Sequence, residues 1–359
     1  MKICFFNSCK VWGGGEKWYY NNIGVLSKNG MDITLFADKN GELYKRTKDN
    51  HNVHGVKVSN LSFLNIFKIM YYTYVFKKKS FDIIIINLPS DIKLAGIAAK
   101  LAGVKRIIYR RGSSIPIKNS FLNKYLFKNI VTNIIANSEG TKKSINEVAN
   151  IFPNEKIKVI YNGIKFRENS IEDKKDKSKV IIGTAGRLSV EKGHKYLLEV
   201  AELLKNRGIT FEVLIAGEGE LKKELEEKIK NMNLSNEVKL IGFTNDITVF
   251  MRKIDIFVLP SLWEGFGYVI VEAMESYKPV VAFEVGGVSE IVKNKKTGYL
   301  VEKKNVEVMA KKIENLIENR DLITSMGIEG RKRAEELFSI EKVTKILEEY
   351  LYKMIVTLK

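Results

Sequence analysis

A rhythm that runs twice along the chain limits what it can fold into. Short apolar runs alternate with segments of helical spacing, the alternation breaks off in a charged stretch, and then it restarts. In the first half the runs are KICFFN (2–7), DITLFA (32–37), DIIIIN (82–87), RIIYR (106–110), NIIANS (133–138) and KVIYNG (158–163). Helical patterns lie between them near 16–29, 64–79, 91–101, 119–131 and 139–149. Strands that read as near-continuous Ile, Val and Phe are buried on both faces, the mark of a parallel sheet flanked by helices. KFRENSIEDKKDKSK (165–179) is almost free of apolar residues and reads as an exposed linker. Beyond it come VIIGTAG (180–186), FEVLIAG (211–217), VKLIGF (238–243), IFVLP (256–260) and PVVAF (279–283), with helices near 191–207, 220–231, 267–277 and 305–318. Tyr196, Leu197, Val200, Ala201 and Leu204 make one apolar helix face. The alternation predicts two doubly wound, Rossmann-like α/β domains in tandem, residues 1–163 and 164–337. FSIEKVTKILEEYLYKMI (338–355) reads as a long amphipathic helix within a last segment, 338–359. In such sheets ligands sit off the carboxyl ends of the strands, so two domains facing each other would bind across a cleft.

The length, 359 residues, also favours two cores over one. No stretch reaches the roughly 18 apolar residues of a spanning helix. The N-terminus enters a strand-like run with no cleavage site behind it, so a cytoplasmic protein without a signal peptide is expected. Cys4 and Cys9 make no disulfide framework, and Cys4 reads as a buried strand residue. The formal net charge of +18 is unevenly spread. Residues 1–160 hold 26 Lys+Arg and 10 Asp+Glu, or +16, which leaves 34 and 32, or +2, for the rest. Nucleic acid, an anionic membrane surface or an acidic substrate would each suit the basic half, and compositional bias is the bland alternative.

Three loops carry the chemistry. VWGGGEKWYY (11–20) follows the first strand and resembles a phosphate cradle, yet it fits neither standard pattern. A Walker loop needs Ser or Thr after its lysine, where Trp18 follows Lys17. The dinucleotide fingerprint needs a third glycine where Trp18 stands. What remains is a strand, a turn free of side chains at Gly14 and Gly15, and a helix start. Its backbone amides suit an anion or a sugar oxygen, or the loop is simply a tight turn. TAGRLSVEKGH (184–194) ends the first strand of the second domain. There Gly186 is followed by Arg187 and Lys192, two cations beside a helix start that could clamp a diphosphate. His194 reads as a packing or capping residue rather than an acid or base.

SLWEGFGYVIVEAMES (261–276) is the most specific signal. Glu264 lies in a turn, Gly265 and Gly267 allow close folding, and Glu272 falls in the second turn of the helix that follows. Carboxylates accept hydrogen bonds from neighbouring hydroxyls, so the pair suits a sugar and a ribose. The Phe266 and Gly267 amides would add donors.

Glu264-Gly265-Phe266-Gly267 with Glu272 resembles the E-x7-E motif of glycosyltransferase family 4. Gly186-Arg187-Leu188 followed by Glu191-Lys192-Gly193-His194 looks like that family's diphosphate-binding stretch. Gly217-Glu218-Gly219, Asn162-Gly163-Ile164 and Val285-Gly286-Gly287 match its landmarks in order. The resemblance covers nearly the whole chain and is weakest over residues 40–130. It implies the two-Rossmann GT-B fold, a nucleotide-sugar donor and retention of anomeric configuration, with the last helix crossing back onto the first domain. It implies that Arg187 and Lys192 bind the donor diphosphate, that Glu272 binds the ribose, and that Glu264 with Phe266 and Gly267 contacts the sugar. Gly186, Gly217, Gly219 and Gly265 would belong to the same donor site, and Gly14 and Gly15 would approach the diphosphate from the first domain. Many members also carry a first-domain histidine near the donor sugar. Here His51 and His54 fall in a stretch that does not align. Arg110 and Arg111, in YRRGSS (109–114), are acceptor-side candidates instead, or else surface cations.

The implied reaction is transfer of a hexose-type sugar to a glycan or lipid-linked acceptor, in surface polysaccharide or lipopolysaccharide synthesis. No cofactor is expected, since the nucleotide sugar is a substrate. No metal is expected either, because there is no D-x-D pair and only three histidines and two cysteines. LSFLNIFKIMYYTYVFKKK (61–79) and FLNKYLFKN (121–129) either pack on the sheet or lie in a lipid headgroup layer. A glycosidase would use two carboxylates but has no need of Arg187, Lys192 or the glycine loops. A nucleotide-sugar epimerase of the same double fold is the main alternative. A nucleic-acid-binding protein explains the charge but leaves the glutamates without a task, so no nucleic-acid partner is expected.

Overall fold

The computed structural model describes residues 1–167, 179–244 and 246–356. Most of the expected linker, residues 168–178, lies outside the described residues. The chain divides into two compact units, Met1–Gly163 with Ile340–Lys359, and Ile164–Ser339.

Among the described residues the first unit holds a seven-stranded parallel sheet: β1 (Lys2–Asn7), β2 (Asp32–Asp38), β3 (Asn52–Val56), β4 (Ile83–Ile86), β5 (Arg106–Arg111), β6 (Asn133–Ala136) and β7 (Ile157–Val159). Their order in space is β3-β2-β1-β4-β5-β6-β7, so the direction of winding reverses between β1 and β4. Side chains alternate between the two faces. Cys4, Phe6, Ile84 and Ile86 enter a core with the helices Ile66–Lys79 and Phe121–Asn129. Ile3, Phe5, Ile83 and Ile85 enter a second core with Trp18, Tyr19 and Ile23 of the helix Gly14–Lys28. The last helix, Ile340–Val356, packs into this second core through Val343, Leu347, Leu351 and Met354. Its Thr344 hydroxyl donates to Asn22 Oδ1 at 3.0 Å in the buried seam.

The second unit holds six strands among the described residues: β8 (Val180–Ala185), β9 (Phe211–Ala216), β10 (Val238–Gly242), β11 (Ile256–Leu259), β12 (Val280–Phe283) and β13 (Gly298–Val301). Their order is β10-β9-β8-β11-β12-β13, and all pairs are parallel. The winding reverses between β8 and β11. The two doubly wound sheets bear out the expected α/β class.

Three elements differ from the sequence reading. β3 and β13 are not among the apolar runs picked out from the sequence. β3 (NVHGV) carries polar residues and a glycine, and β13 (GYLV) is four residues long, so neither stands out as an apolar run. The stretch before the last helix is itself a helix, Arg320–Phe338, and the break falls at Ser339, whose extended backbone ends it. Gly183 in β8 is a strand glycine with a reason: a Cβ there would lie 2.4 Å from Ile254 Cγ2.

Candidate functional site

In doubly wound sheets the loops on either side of the reversal run to opposite faces and leave a crevice at the strand ends. In the second unit that crevice lies between the loops after β8 and β11, which contribute Gly186–Lys192 and Ser261–Gly267. The structure therefore brings together the residues singled out by two separate motifs.

Backbone contacts fix these loops. Gly193 closes the short turn Val190–Lys192 in the left-handed region (φ 65°), and a Cβ there would sit 2.0 Å from Pro260 O. Leu262 N–H donates to Glu191 O at 2.8 Å, tying the β11 loop to the β8 loop. Gly287 N–H donates to Glu264 O at 3.2 Å, tying in the loop after β12. Leu188 N–H donates to Glu218 O at 3.0 Å on the other side. Gly217 and Gly219 serve this lacing directly. Gly217 has φ 153°, and a Cβ on it would lie 1.9 Å from Gly186 O; one on Gly219 would lie 2.3 Å from Leu188 O.

The charged groups follow from this frame. Lys192 Nζ donates to Glu264 Oε2 at 2.7 Å, with both side chains mostly covered. The sequence reading gave these two residues different parts of one donor, the diphosphate and the sugar; the structure pairs them with each other. Arg187 is exposed. Partial burial pushes the Glu191 carboxyl up, but hydrogen bonding from Ser189 and the charges of Arg187 and Lys192 outweigh it and hold it low. His194 is buried at the start of its helix, and burial followed by the Lys192 charge pulls its imidazole down to about 4. It is neutral at physiological pH.

Gly267 (φ 96°) caps the helix Tyr268–Glu275 and lets the chain turn in against the Glu264 side chain. Phe266 is buried edge-on against Phe338, with ring centroids 5.3 Å apart, so its side chain anchors the loop and only its backbone can face a ligand. Glu272 lies partly exposed in the second turn.

In the first unit the loops after β1 and β4 meet at the corresponding reversal. Gly15 is held close to Asn87, where a Cβ would lie 2.7 Å from Nδ2. Gly14 is the exposed first residue of its helix. Glu16 turns inward, buried, and accepts from Asn7 Nδ2 at 3.0 Å. Asp91 is fully buried and accepts from Ser8 N–H at 3.0 Å and from the Ser8 hydroxyl. Burial raises its carboxyl to about 7 against the hydrogen bonds from Ser8. The same loop buries Cys9 beside Glu16, which lifts the thiol to about 11.

Arg110 and Arg111 are not surface cations: both are more than nine-tenths buried. Arg110 donates to Asn162 Oδ1 at 2.8 Å and lies over the Trp18 ring. Gly112 makes room for it, since a Cβ there would meet its guanidinium. Arg111 donates to the Tyr109 hydroxyl at 3.3 Å and to Ile115 O. Neither non-aligned histidine shows a site role. His54 stacks on Phe36 with centroids 5.0 Å apart, and burial lowers the pKa of both His54 and His51.

Comparison with known proteins agrees with this geometry. Residues 12–167 match the family described as Glycosyltransferase Family 4, and residues 165–333 match Glycosyl transferases group 1. An uncharacterized glycosyltransferase of Methanocaldococcus jannaschii is 34% identical over 256 residues, 68% of this chain and 69% of its own. This chain belongs to glycosyltransferase family 4. An Escherichia coli relative, UDP-Gal:alpha-D-GlcNAc-diphosphoundecaprenol alpha-1,3-galactosyltransferase, is 26% identical and spans 98% of this chain and 97% of its own. Among solved structures, Anabaena HepE in complex with UDP-glucose superposes with a TM-score of 0.84 at 21% identity, covering 98% of this chain and all of HepE. That likeness bears on the fold.

For this family 4 member the sequence reading missed Asn7, Glu16, Asn87 and Asp91. A signal was available, because Asn7 ends β1, Asn87 directly follows β4, and Glu16 and Asp91 lie in the helices that come next after these two strands. Asn162-Gly163-Ile164 also has a structural reason. Asn162 holds Arg110, and a Cβ on Gly163 would lie 2.7 Å from Ile340 Cα at the start of the last helix.

Proposed function

We propose that this glycosyltransferase moves a hexose-type sugar from a uridine diphosphate sugar to a glycan or lipid-linked acceptor. The reading includes retention of configuration, no metal, and a place in bacterial surface polysaccharide or lipopolysaccharide synthesis. One observation carries it: Lys192 and Glu264, from the loops after β8 and β11, pair at 2.7 Å, with Arg187 in the first of these loops and Glu272 on the helix that follows the second. The HepE complex with UDP-glucose and the E. coli relative's UDP-galactose and diphosphoundecaprenol substrates support the choice of donor and acceptor class.

Arg187 and Lys192 take the diphosphate, Glu272 the ribose hydroxyls, and Glu264 with the Phe266 and Gly267 amides the sugar. Glu264 neutralises Lys192 at 2.7 Å, which avoids a half-buried cation with no partner. A diphosphate would draw on the same ammonium and leave Glu264 to accept from a sugar hydroxyl. As the bond from the anomeric carbon to the phosphate oxygen lengthens, negative charge grows on the leaving diphosphate. Cations already in place stabilise it more than reorienting water would. The acceptor hydroxyl attacks from the same face, its oxygen bonds to the anomeric carbon, and its proton passes to the leaving phosphate oxygen. No separate general base is required. Within the first unit, Arg110 and Arg111 serve an anionic acceptor.

The test is incubation with UDP-sugars and a sugar-diphospholipid acceptor, followed by NMR of the product. An α-linked product from an α-donor is expected. A β-linkage overturns retention, and an epimerised nucleotide sugar formed from donor alone overturns transfer.

A further inference from the structure

The helix Ile66–Lys79 is apolar on two sides. Ile69, Tyr72 and Phe76 face the first sheet and are buried. On the opposite side Phe67, Met70, Tyr71 and Tyr74, spaced for a single helical stripe, are all more than half exposed, Phe67 by 79%. A helix that is apolar all round is ordinarily covered all round. Leu61 and Leu64, just before it, are equally open.

The helix Phe121–Asn129 packs into the same core through Leu126 and Phe127, on the same face of the same sheet. Its exposed stripe has the same spacing: Phe121, Lys124, Tyr125 and Lys128, with Phe121 88% exposed. The short helix Ile97–Leu101 belongs to that layer too. Ala98 O lies 3.4 Å from the Thr73 hydroxyl, and Leu101 and Lys100 are open to solvent.

The charge of the stretch that carries this layer is one-sided, even with the buried Arg110 and Arg111 of β5 set aside. Residues 50–138 contain fourteen Lys+Arg and only two acidic residues, Asp82 and Asp91. Asp82 accepts from Lys2 N–H at the start of β4, and Asp91 is buried at the other end of that strand. Lys77, Lys78 and Lys79 end the first helix, and neither helix contains an acid. Exposed aromatic and aliphatic stripes bordered by lysines form an interfacial surface. Rings and methyls enter the acyl boundary while ammonium groups reach anionic headgroups.

We propose that this helical layer docks the enzyme on an anionic lipid bilayer. It lies on the bilayer and does not span it, since among the described residues no helix is long and apolar enough to cross a membrane. A second copy is a poor occupant, because two such faces would bring like charges together. Single-stranded nucleic acid suits lysines and aromatics, but gains little from open Leu61, Leu64 and Met70. Vesicle binding needs neither donor nor acceptor, so the proposal stands or falls apart from the transferase reading.

The experiment is co-sedimentation of the full chain with vesicles of phosphatidylcholine alone and with phosphatidylglycerol added, at low and high salt. The wild type is expected to partition at least about tenfold more onto the anionic vesicles, and to lose this in high salt. The variant Phe67→Ser/Tyr71→Ser/Phe121→Ser should lose about tenfold or more with unchanged thermal unfolding, as these side chains are exposed. Lys77→Gln/Lys78→Gln should lose about fivefold for each cation removed. In a Phe67→Trp variant, indole emission should shift to the blue on anionic vesicles. Failure of the wild type to bind them at low salt overturns the proposal, as does equal binding by the triple variant. Tight oligonucleotide binding, or dimerisation lost in the same variant without vesicle binding, assigns the surface elsewhere and also overturns it.

Discussion

Lys192 shows how a cation at one strand end is held by a carboxylate from the loop after a neighbouring strand. Its ammonium is engaged by Glu264 at 2.7 Å, so replacing either residue affects both. Lys192→Ala should lower turnover by about a hundredfold to a thousandfold, as losing one preorganised charge-stabilising group does. Glu264→Gln should keep nucleotide affinity and lose turnover, which steady-state kinetics alongside a nucleotide titration separates. Two other residues govern pH dependence with opposite sign. His194 stays neutral in the folded state down to about 4, whereas unfolded imidazole takes up a proton below 6.5. Stability is therefore lost as pH falls from 6.5 toward 4. Asp91 holds its proton up to about 7 when folded but ionises near 3.8 when unfolded. Its contribution is present at acid pH and lost as pH rises through that window. In melting temperatures recorded against pH, His194→Gln should flatten the acid-side loss, and Asp91→Asn should flatten the loss toward neutrality. At this scale the sequence disclosed residues whose type fits a ligand, such as Glu272 and Arg187. It did not disclose Asp91, because burial turns an ordinary loop aspartate into a group that titrates near neutrality.

Loops at strand ends divide into those fixed by backbone and those fixed by side chains. Gly217 sits at φ 153° with Gly186 O in the way of any Cβ, and a backbone oxygen held by a sheet cannot step aside. Gly217→Ala should cost the second unit about 2 kcal/mol or more. Gly15 meets only the Asn87 side chain, which can rotate, so Gly15→Ala should cost less. Chemical denaturation of both variants makes the comparison. The apolar strands were legible because parallel strands buried on both faces leave continuous runs of Ile and Val. β3 was not, since this edge strand is buried less fully and needs no such run, and β13, though mostly buried, is only four residues long. The break at Ser339 was read slightly early, at the 337/338 boundary, because helical spacing continues on both sides of it. The pairing of Lys192 with Glu264, 72 residues apart, depends on β8 and β11 being neighbours. Only the strand order supplies that.

At the scale of the whole molecule, the chain closes its first unit with its last helix. Val343, Leu347, Leu351 and Met354 complete one face of the first sheet, and burying each is worth about 2 kcal/mol. A chain ending at Ser339 should lose that unit's cooperative melt, which calorimetric scanning would reveal. The second unit carries the residues proposed to bind the nucleotide, and the basic charge is concentrated in the first. The central claim is that Lys192 and Glu272 belong to one nucleoside diphosphate site. Isothermal titration of UDP into the wild type, Lys192→Ala and Glu272→Ala tests it most directly. The wild type should bind, and each variant should bind about tenfold to a hundredfold more weakly, or about 1.4 to 2.8 kcal/mol. No binding by the folded wild type, or equal affinity in all three proteins, would contradict it.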